Sequence, residues 1–107
     1  MKRTSSMIYH ETDESRELEL YTTNNGDLYR QMITPIINNL RKKYKRGTYD
    51  ANKAVDLWYN VAIEGAKLYN KEFGSDGQWS RLFNVQCRYT VAVNLERYYK
   101  EEVEYNA

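Results

Sequence analysis

The sequence contains few of the residues that bind metals, form covalent links or interrupt helices. Its 107 residues include one cysteine, Cys87, one histidine, His10, and one proline, Pro35. A single cysteine excludes an internal disulfide, which favours an intracellular setting. A single histidine with no neighbouring cysteine or second histidine does not make a metal site. We therefore expect the chain to use neither a metal nor another cofactor.

Long apolar runs and an excess of charge of one sign are also missing. No stretch of eighteen apolar residues occurs and no apolar signal core follows Met1, so the sequence predicts neither a membrane span nor an export signal. Sixteen basic and fifteen acidic residues nearly cancel, so no overall field draws the protein towards nucleic acid. These absences favour a cytoplasmic protein of one domain that does not bind membranes.

No signature of catalysis is present either. The serines lack the context of a nucleophile elbow, and there is no glycine-rich phosphate loop. Adjacent carboxylates such as Asp13-Glu14 and Glu101-Glu102 do not face one another on a helix, so they do not form a general acid–base pair. For Cys87, with no histidine nearby, a buried packing thiol is favoured over a nucleophile. The sequence predicts a protein that is not an enzyme.

Helical periodicity is the main positive signal, and it is clearest between Gly47 and Gly74. Asp50 is placed to cap this helix, because its carboxylate can accept hydrogen bonds from free N–H groups at the positive end. Gly74 is expected to end the helix in the left-handed conformation. The apolar positions between them recur at three- and four-residue spacing: Ala54, Val55, Trp58, Val61, Ala62, Gly65, Leu68, Tyr69 and Phe73. A helix with one apolar face must bury it against other helices.

An earlier helix begins near Asp27 and is expected to end at Gly47. Its apolar positions are Leu28, Met32, Ile33, Ile36, Ile37, Leu40 and Tyr44. Pro35 lies inside this pattern, where proline removes a hydrogen bond and disturbs the preceding turn. The helix is either continuous but bent, which we favour because the apolar stripe keeps its phase, or it restarts at Pro35 with Thr34 as the cap.

The final helix runs from Val85 to about Glu104, with Asn84 as its cap. Its stripe includes Tyr89, Leu95 and Val103. A short helical turn over 78–83 is expected to carry three residues into the core: Trp79, Leu82 and Phe83.

The sequence pattern of the first 26 residues differs from the helical periodicity of the rest of the chain. It begins as a polar, aperiodic stretch, and in Glu17–Thr23 the residues Leu18 and Leu20 alternate with charged residues. Such alternation suits a short strand or the lead-in to a helix. We therefore divide the chain into an N-terminal arm with a possible short strand, 1–26, and a helical domain, 27–107. The predicted fold is all-α, a small bundle of three main helices with a short extra helical turn and an N-terminal arm.

The strongest local feature is a cluster of five basic residues around one tyrosine, which we call the basic end: Arg41, Lys42, Lys43, Lys45 and Arg46. Cations at a helix C-terminus complement its dipole, which explains the cluster without any partner. The alternatives are contact with phosphates or with an acidic protein surface. Recognition of DNA by the following helix is disfavoured, because Asp50, Asp56 and Glu64 would face the phosphates.

Three further residues are singled out by their positions. Gly65 lies on the apolar stripe and predicts the close approach of another backbone, the alternative being a tolerated glycine that costs about 1 kcal/mol against alanine. Tyr59 and Tyr98 fall off the stripes and are candidates for an exposed interface.

The segment from GTYD through KAV and an aromatic residue to GAKLY, followed by WSRLF and a tyrosine-rich acidic tail, resembles small bacteriophage proteins of unassigned function. The resemblance covers about residues 27–104. It implies no activity and no site residues. It suggests a phage-encoded accessory protein acting in the bacterial host cytoplasm, where small phage proteins often inhibit host defence or other host machinery.

We therefore expect a non-enzymatic, phage-encoded accessory protein that binds another protein, from the host or the phage. The expected contact residues are the basic end, with Tyr49 and Tyr59 as nearby aromatic contacts. One alternative is a nucleic-acid-binding module that uses the same patch, 41–46. The other is an oligomeric structural or virion-associated protein, since the sequence does not specify an oligomeric state.

Overall fold

The computed structural model describes residues 12–74 and 83–105, and within these two stretches all regular structure is helical. Four helices are described there, and they form a small bundle, which confirms the all-α prediction. They are α1 (Asp13–Asn24), α2 (three successive segments, Gly26–Leu28, Tyr29–Ile33 and Thr34–Lys45), α3 (Ala51–Phe73) and α4 (Val85–Tyr105). Helices α3 and α4 pack most extensively against each other, and α1 and α2 lie against this pair.

Helix α1 includes Glu17–Thr23, for which we left open a short strand or the lead-in to a helix, so the strand alternative is wrong. Thr12 caps the helix: its Oγ1 accepts from the Ser15 N–H at 3.1 Å, and the Ser15 Oγ accepts from the Thr12 N–H at 2.8 Å. Residues two apart on a helix point about 200° from each other, so Leu18 is fully buried while Leu20 is 57% exposed. The helical domain therefore includes α1 and does not begin at residue 27. Residues 1–11 lie outside the described part.

Helix α2 passes Pro35 without ending. Between Tyr29 and Ile33 it widens into a π turn, in which the Thr34 N–H donates to the Tyr29 carbonyl five residues earlier. Pro35 follows in the first turn of the next α-helical segment, where its missing N–H costs little. The favoured alternative of one continuous helix is therefore the observed one, and the π turn accommodates the proline.

Of the two glycines expected to end helices, Gly47 adopts the left-handed conformation, with φ of 77°, and Gly74 does not. At the end of α2 the Gly47 N–H donates to the Tyr44 carbonyl at 3.0 Å, and the Thr48 N–H donates to the Lys43 carbonyl at 2.8 Å. This pair of bonds closes the helix end in a Schellman motif. Gly74 has a φ of −108°, which is ordinary extended backbone, so the left-handed prediction is wrong there.

The two predicted N-caps are confirmed. The Asp50 Oδ1 accepts hydrogen bonds from the N–H groups of Asn52 at 2.9 Å and Lys53 at 3.3 Å, which starts α3. The Asn84 Oδ1 accepts from the Cys87 N–H at 2.9 Å and starts α4.

Trp58 is a fully buried anchor of the core. Its ring stacks on Tyr99 of α4, with 5.1 Å between ring centroids and 19° between the planes. Phe83 is buried against Tyr69, whereas the rest of the helical turn predicted over 78–83 lies outside the described residues. Further buried residues come from all four helices: Leu18, Ile33, Ile37, Leu40, Val61, Ala62, Val91, Leu95 and Val103.

Helix α1 docks on α3 at Gly65. A Cβ at this position would overlap the Thr22 Oγ1 and would lie 3.2 Å from the Thr22 Cβ. Thr22 is fully buried in this contact. Close packing at Gly65 is confirmed, but the atoms that approach it belong to the side chain of Thr22 and not to a backbone, as we had expected.

Candidate interaction surface at the basic end of α2

Four residues of the basic end project from the last turns of α2. Lys42, Lys43, Lys45 and Arg46 are exposed, and within residues 12–74 and 83–105 none of them forms an ion pair. The bonds that close the helix at Gly47 fix the backbone from which they extend. Like charges three and four residues apart repel by a few tenths of a kcal/mol per pair. An anionic partner would relieve this repulsion.

Arg41, the first residue of the basic end, is engaged within the protein. Its Nη2 donates to the Glu102 carbonyl at 2.9 Å, and its Nη1 donates to the Asn38 Oδ1 at 3.3 Å. The Glu102 carbonyl is one of the last four of α4, which have no donor within their own helix. Arg41 therefore caps α4 from α2, and the structure removes it from the exposed cationic surface.

Tyr49 lies beside the basic end but is half-buried. Its hydroxyl donates to the Glu96 Oε2 at 2.7 Å, and its ring makes an edge contact with Tyr44 at 6.1 Å between centroids. The Lys100 Nζ lies 5.7 Å from the ring centroid. Burial, followed by the hydrogen bond to Glu96 and its charge, raises the pKa of the Tyr49 phenol. Tyr49 thus joins the α2–α3 connection to α4.

Tyr59 is not brought to the basic end. Its hydroxyl accepts from the Arg88 Nε at 3.2 Å, and the Arg88 guanidinium carbon lies 5.7 Å from its ring centroid. Arg88 also donates to the Phe83 carbonyl. Tyr59 lies about 12 Å along α3 from Ala51, the first residue of that helix. It therefore contributes to the α3–α4 contact instead of to the surface around α2.

Carboxylates border the basic end. Glu104 is exposed near the end of α4, and its charge adds to the raised pKa of Tyr49 after the effects of burial and Glu96. Glu102 is joined to Arg41 through its backbone carbonyl. The exposed cations are therefore part of a surface with charges of both signs.

A second surface feature is a groove of about 690 Å³ where the end of α1 and the start of α2 meet the end of α4. We call it the tyrosine groove, and its aromatic and acidic lining consists of Tyr29, Tyr98, Tyr99, Tyr105, Glu101 and Glu102. Sequence reasoning singled out only Tyr98, as an aromatic residue off its stripe, and Tyr98 is exposed. No local signal could reveal the groove, because its residues come together only when three helices pack.

A groove of about 570 Å³ lies between α1 and α3. There the Tyr21 hydroxyl donates to the Glu72 Oε1 at 2.8 Å, and the Tyr69 hydroxyl donates to the Glu17 Oε2 at 3.0 Å. The polar groups of these two tyrosines are therefore satisfied by carboxylates of the same groove.

Cys87 is a packing residue, as favoured from the sequence. It is 7% exposed, and burial raises the pKa of its thiol to about 11, so it is protonated at neutral pH. Among the residues that the structure describes, no group of three or more histidine, cysteine, aspartate or glutamate side chains could hold a metal ion. No helix in this part of the chain has the length and apolar character needed to cross a membrane.

No family model, no curated protein and no solved structure matches the chain. The resemblance to small bacteriophage proteins stays a prediction.

Proposed function

We propose that the chain is a non-enzymatic, phage-encoded accessory protein that binds another protein through the basic end of α2. The observation that carries the proposal is a set of four exposed cations on a closed helix end, with no ion pair among the described residues: Lys42, Lys43, Lys45 and Arg46. In this proposal the protein acts in the bacterial host cytoplasm and inhibits a host process, such as a defence system.

The surroundings of the basic end favour an acidic protein surface over a phosphate backbone. The end of α4, which carries the exposed Glu102 and Glu104, is joined to the basic end by the bond from Arg41 to the Glu102 carbonyl. A nucleic acid presents a continuous row of negative charge, which these carboxylates would oppose. A protein partner can instead place cations opposite the carboxylates and anions opposite the lysines.

The residues of this surface have two roles in the proposal. Lys42, Lys43, Lys45 and Arg46 attract and contact the partner. Arg41 and Tyr49 hold α2 and the following connection against α4 through their bonds to Glu102 and Glu96, so the cations keep a fixed geometry. Attraction between exposed charges raises the association rate and weakens with salt.

A charge-reversal pair tests this proposal. Lys42→Glu with Lys43→Glu is compared with Lys53→Glu and Lys71→Glu, two exposed lysines of α3, so both variants change the net charge equally. We expect the first variant to lose capture of a specific protein from host lysate while its thermal midpoint stays the same. The second variant should retain capture. Equal capture by both variants would show that the basic end is only a helix terminus.

Two measurements separate the alternatives. A mobility shift with DNA or RNA at low salt that weakens steeply at moderate salt, and that Lys42→Glu with Lys43→Glu abolishes, would support nucleic-acid binding in place of protein binding. A mass well above 12.8 kDa by light scattering would support the oligomeric structural alternative.

A further inference from the structure

Eight of the eleven tyrosines fall into two sets according to the partners of their hydroxyl groups. One set is hydrogen-bonded to side chains elsewhere in the fold: Tyr21, Tyr49, Tyr59 and Tyr69. The other set lines the tyrosine groove, and within the described residues none of its hydroxyls has a hydrogen-bond partner: Tyr29, Tyr98, Tyr99 and Tyr105. The groove therefore gathers polar groups that the fold itself leaves available.

One tyrosine ring of the groove is buried and held by the core, and the other three are exposed. Tyr99 is buried and stacked on Trp58, and Tyr98 makes an edge contact with Tyr99 at 4.8 Å between centroids. Tyr29 and Tyr105 are exposed. Burial first, and then the proximity of Tyr98, Glu102 and Tyr29, raises the pKa of the Tyr99 phenol.

The electrostatics of the groove also favour a cation. The carboxylates of Glu101 and Glu102 are exposed, and among the described residues neither has an ion-pair partner. The ends of α1 and α4 both line the groove, and neither helix has a basic residue in its last turn. Helix C-termini carry partial negative charge. Arg41 caps the Glu102 carbonyl from α2, but it does not line the groove.

We propose that the tyrosine groove binds the guanidinium group of an arginine in a segment of a partner protein. A guanidinium is planar and stacks on tyrosine, and its N–H groups donate to carboxylates and hydroxyls. Glu101, Glu102 and the unbonded hydroxyls are acceptors of this kind. A quaternary ammonium has no N–H donors and would leave these acceptors without partners. A groove of about 690 Å³ has room for an arginine side chain and its neighbouring backbone.

This inference does not depend on the basic end, because its ligand has the opposite charge. The probe is a short arginine-containing peptide, compared with matched peptides that carry citrulline or trimethyllysine in place of arginine. The readout is the aromatic chemical shifts of the tyrosines during an NMR titration of the full chain. We expect saturable shifts at the four groove tyrosines with the arginine peptide, weaker shifts with trimethyllysine, and none with citrulline.

Matched variants locate the site. Tyr29→Ala and Glu101→Gln are each expected to weaken binding about fivefold to tenfold. The controls are Tyr44→Ala, which removes a tyrosine with the same 40% exposure at the basic end, and Asp56→Asn, which removes an exposed charge on α3. Both controls should bind as the parent chain does. Thermal unfolding of each variant confirms that it is folded.

Several results would overturn the proposal. Absence of saturation across the millimolar range would exclude the site, and equal binding of citrulline would exclude recognition of charge. Equal binding of trimethyllysine would exclude the guanidinium assignment. Shifts that map to Tyr44 would place binding elsewhere, and a concentration-dependent mass that Tyr29→Ala abolishes would show that a second copy occupies the groove.

Discussion

Replacing Gly65 by alanine is expected to destabilise the protein, although alanine is the better helix former. At an open helix position the substitution gains about 1 kcal/mol. Here the new methyl group would overlap the Thr22 Oγ1 and would lie 3.2 Å from the Thr22 Cβ and 3.3 Å from its Cγ2. Rotation of the Thr22 side chain does not move its Cβ, so α1 has to shift away from α3.

The expected magnitude follows from two opposing effects. Overpacking a well-fitted contact costs about 1–3 kcal/mol, and the gain in helix propensity offsets about 1 kcal/mol of this. We expect the free energy of unfolding to fall by about 1 kcal/mol, or about 4 °C in the thermal midpoint for a domain of this size. In a Thr22→Ala background the Oγ1 and Cγ2 are absent and only the Cβ contact of 3.2 Å remains, which a shift of a few tenths of an ångström relieves, so Gly65→Ala should cost much less or become neutral.

The double-mutant cycle consists of the parent chain, Gly65→Ala, Thr22→Ala and the double variant. Urea denaturation followed by circular dichroism measures the free energy of unfolding of each. The Thr22 Oγ1 is buried and has no hydrogen-bond partner in the described structure, so Thr22→Ala removes no hydrogen bond of its own. The two substitutions should be coupled by about 1–2 kcal/mol. If Gly65→Ala stabilises the parent chain by about 1 kcal/mol, as in an open helix, α1 does not pack at this point on α3.

Three further predictions concern a tyrosine, an arginine and the thiol. Burial and Glu96 hold the pKa of Tyr49 above the ordinary 10.0, so its stabilising effect is present below pH 10 and is lost as the pH rises through the folded-state pKa. Tyr49→Phe should therefore flatten the alkaline decline in the free energy of unfolding. Arg41→Ala removes the bond to the Glu102 carbonyl, so it should cost about 1 kcal/mol and speed amide exchange in the last turn of α4. Because burial raises the pKa of Cys87 to about 11, a thiol reagent at neutral pH should react with it only through the unfolded fraction.

Each of these predictions has a contradicting outcome. Equal alkaline declines for the parent chain and Tyr49→Phe would exclude the proposed titration. Lys43→Ala, which removes an exposed cation of the same helix end, should leave amide exchange in α4 unchanged. If Lys43→Ala speeds amide exchange in α4 as much as Arg41→Ala does, the faster exchange results from the loss of net charge and not from the loss of the bond to Glu102. Labelling of Cys87 at the same rate with and without denaturant would contradict its burial.

Local signals in the sequence predict α3 and several helix ends well. The Asp50 cap, the stripe around Trp58 and the left-handed Gly47 act through residues within a few positions of one another. Such features depend on backbone geometry and helical spacing alone. They were sufficient to predict an all-α bundle and the location of the basic end.

The features that could not be predicted are of two kinds. Some residues have a pattern that suits both a helix and a strand, and others have bonding partners that are distant in the sequence. Leu18 and Leu20 alternate as in a strand, and only docking on α3 and α4 buries one and exposes the other. Tyr49 pairs with Glu96 forty-seven positions away, and Tyr59 pairs with Arg88 twenty-nine positions away. The period of a helix does not reveal which residue faces it across the core, so the bonds that Tyr49 and Tyr59 make to α4 could not be predicted from the sequence.

The central claim is that the exposed cations of the basic end bind an acidic protein surface. Site-specific photocrosslinking in host lysate tests it most directly, with benzoylphenylalanine in place of the exposed Tyr44, which leaves all four cations intact, and, as the control, at position 71 of α3. The account predicts one specific protein adduct from position 44, attached through an acidic peptide, and no such adduct from position 71. Identical adducts from both positions, or a nucleic-acid adduct from position 44 alone, would contradict it.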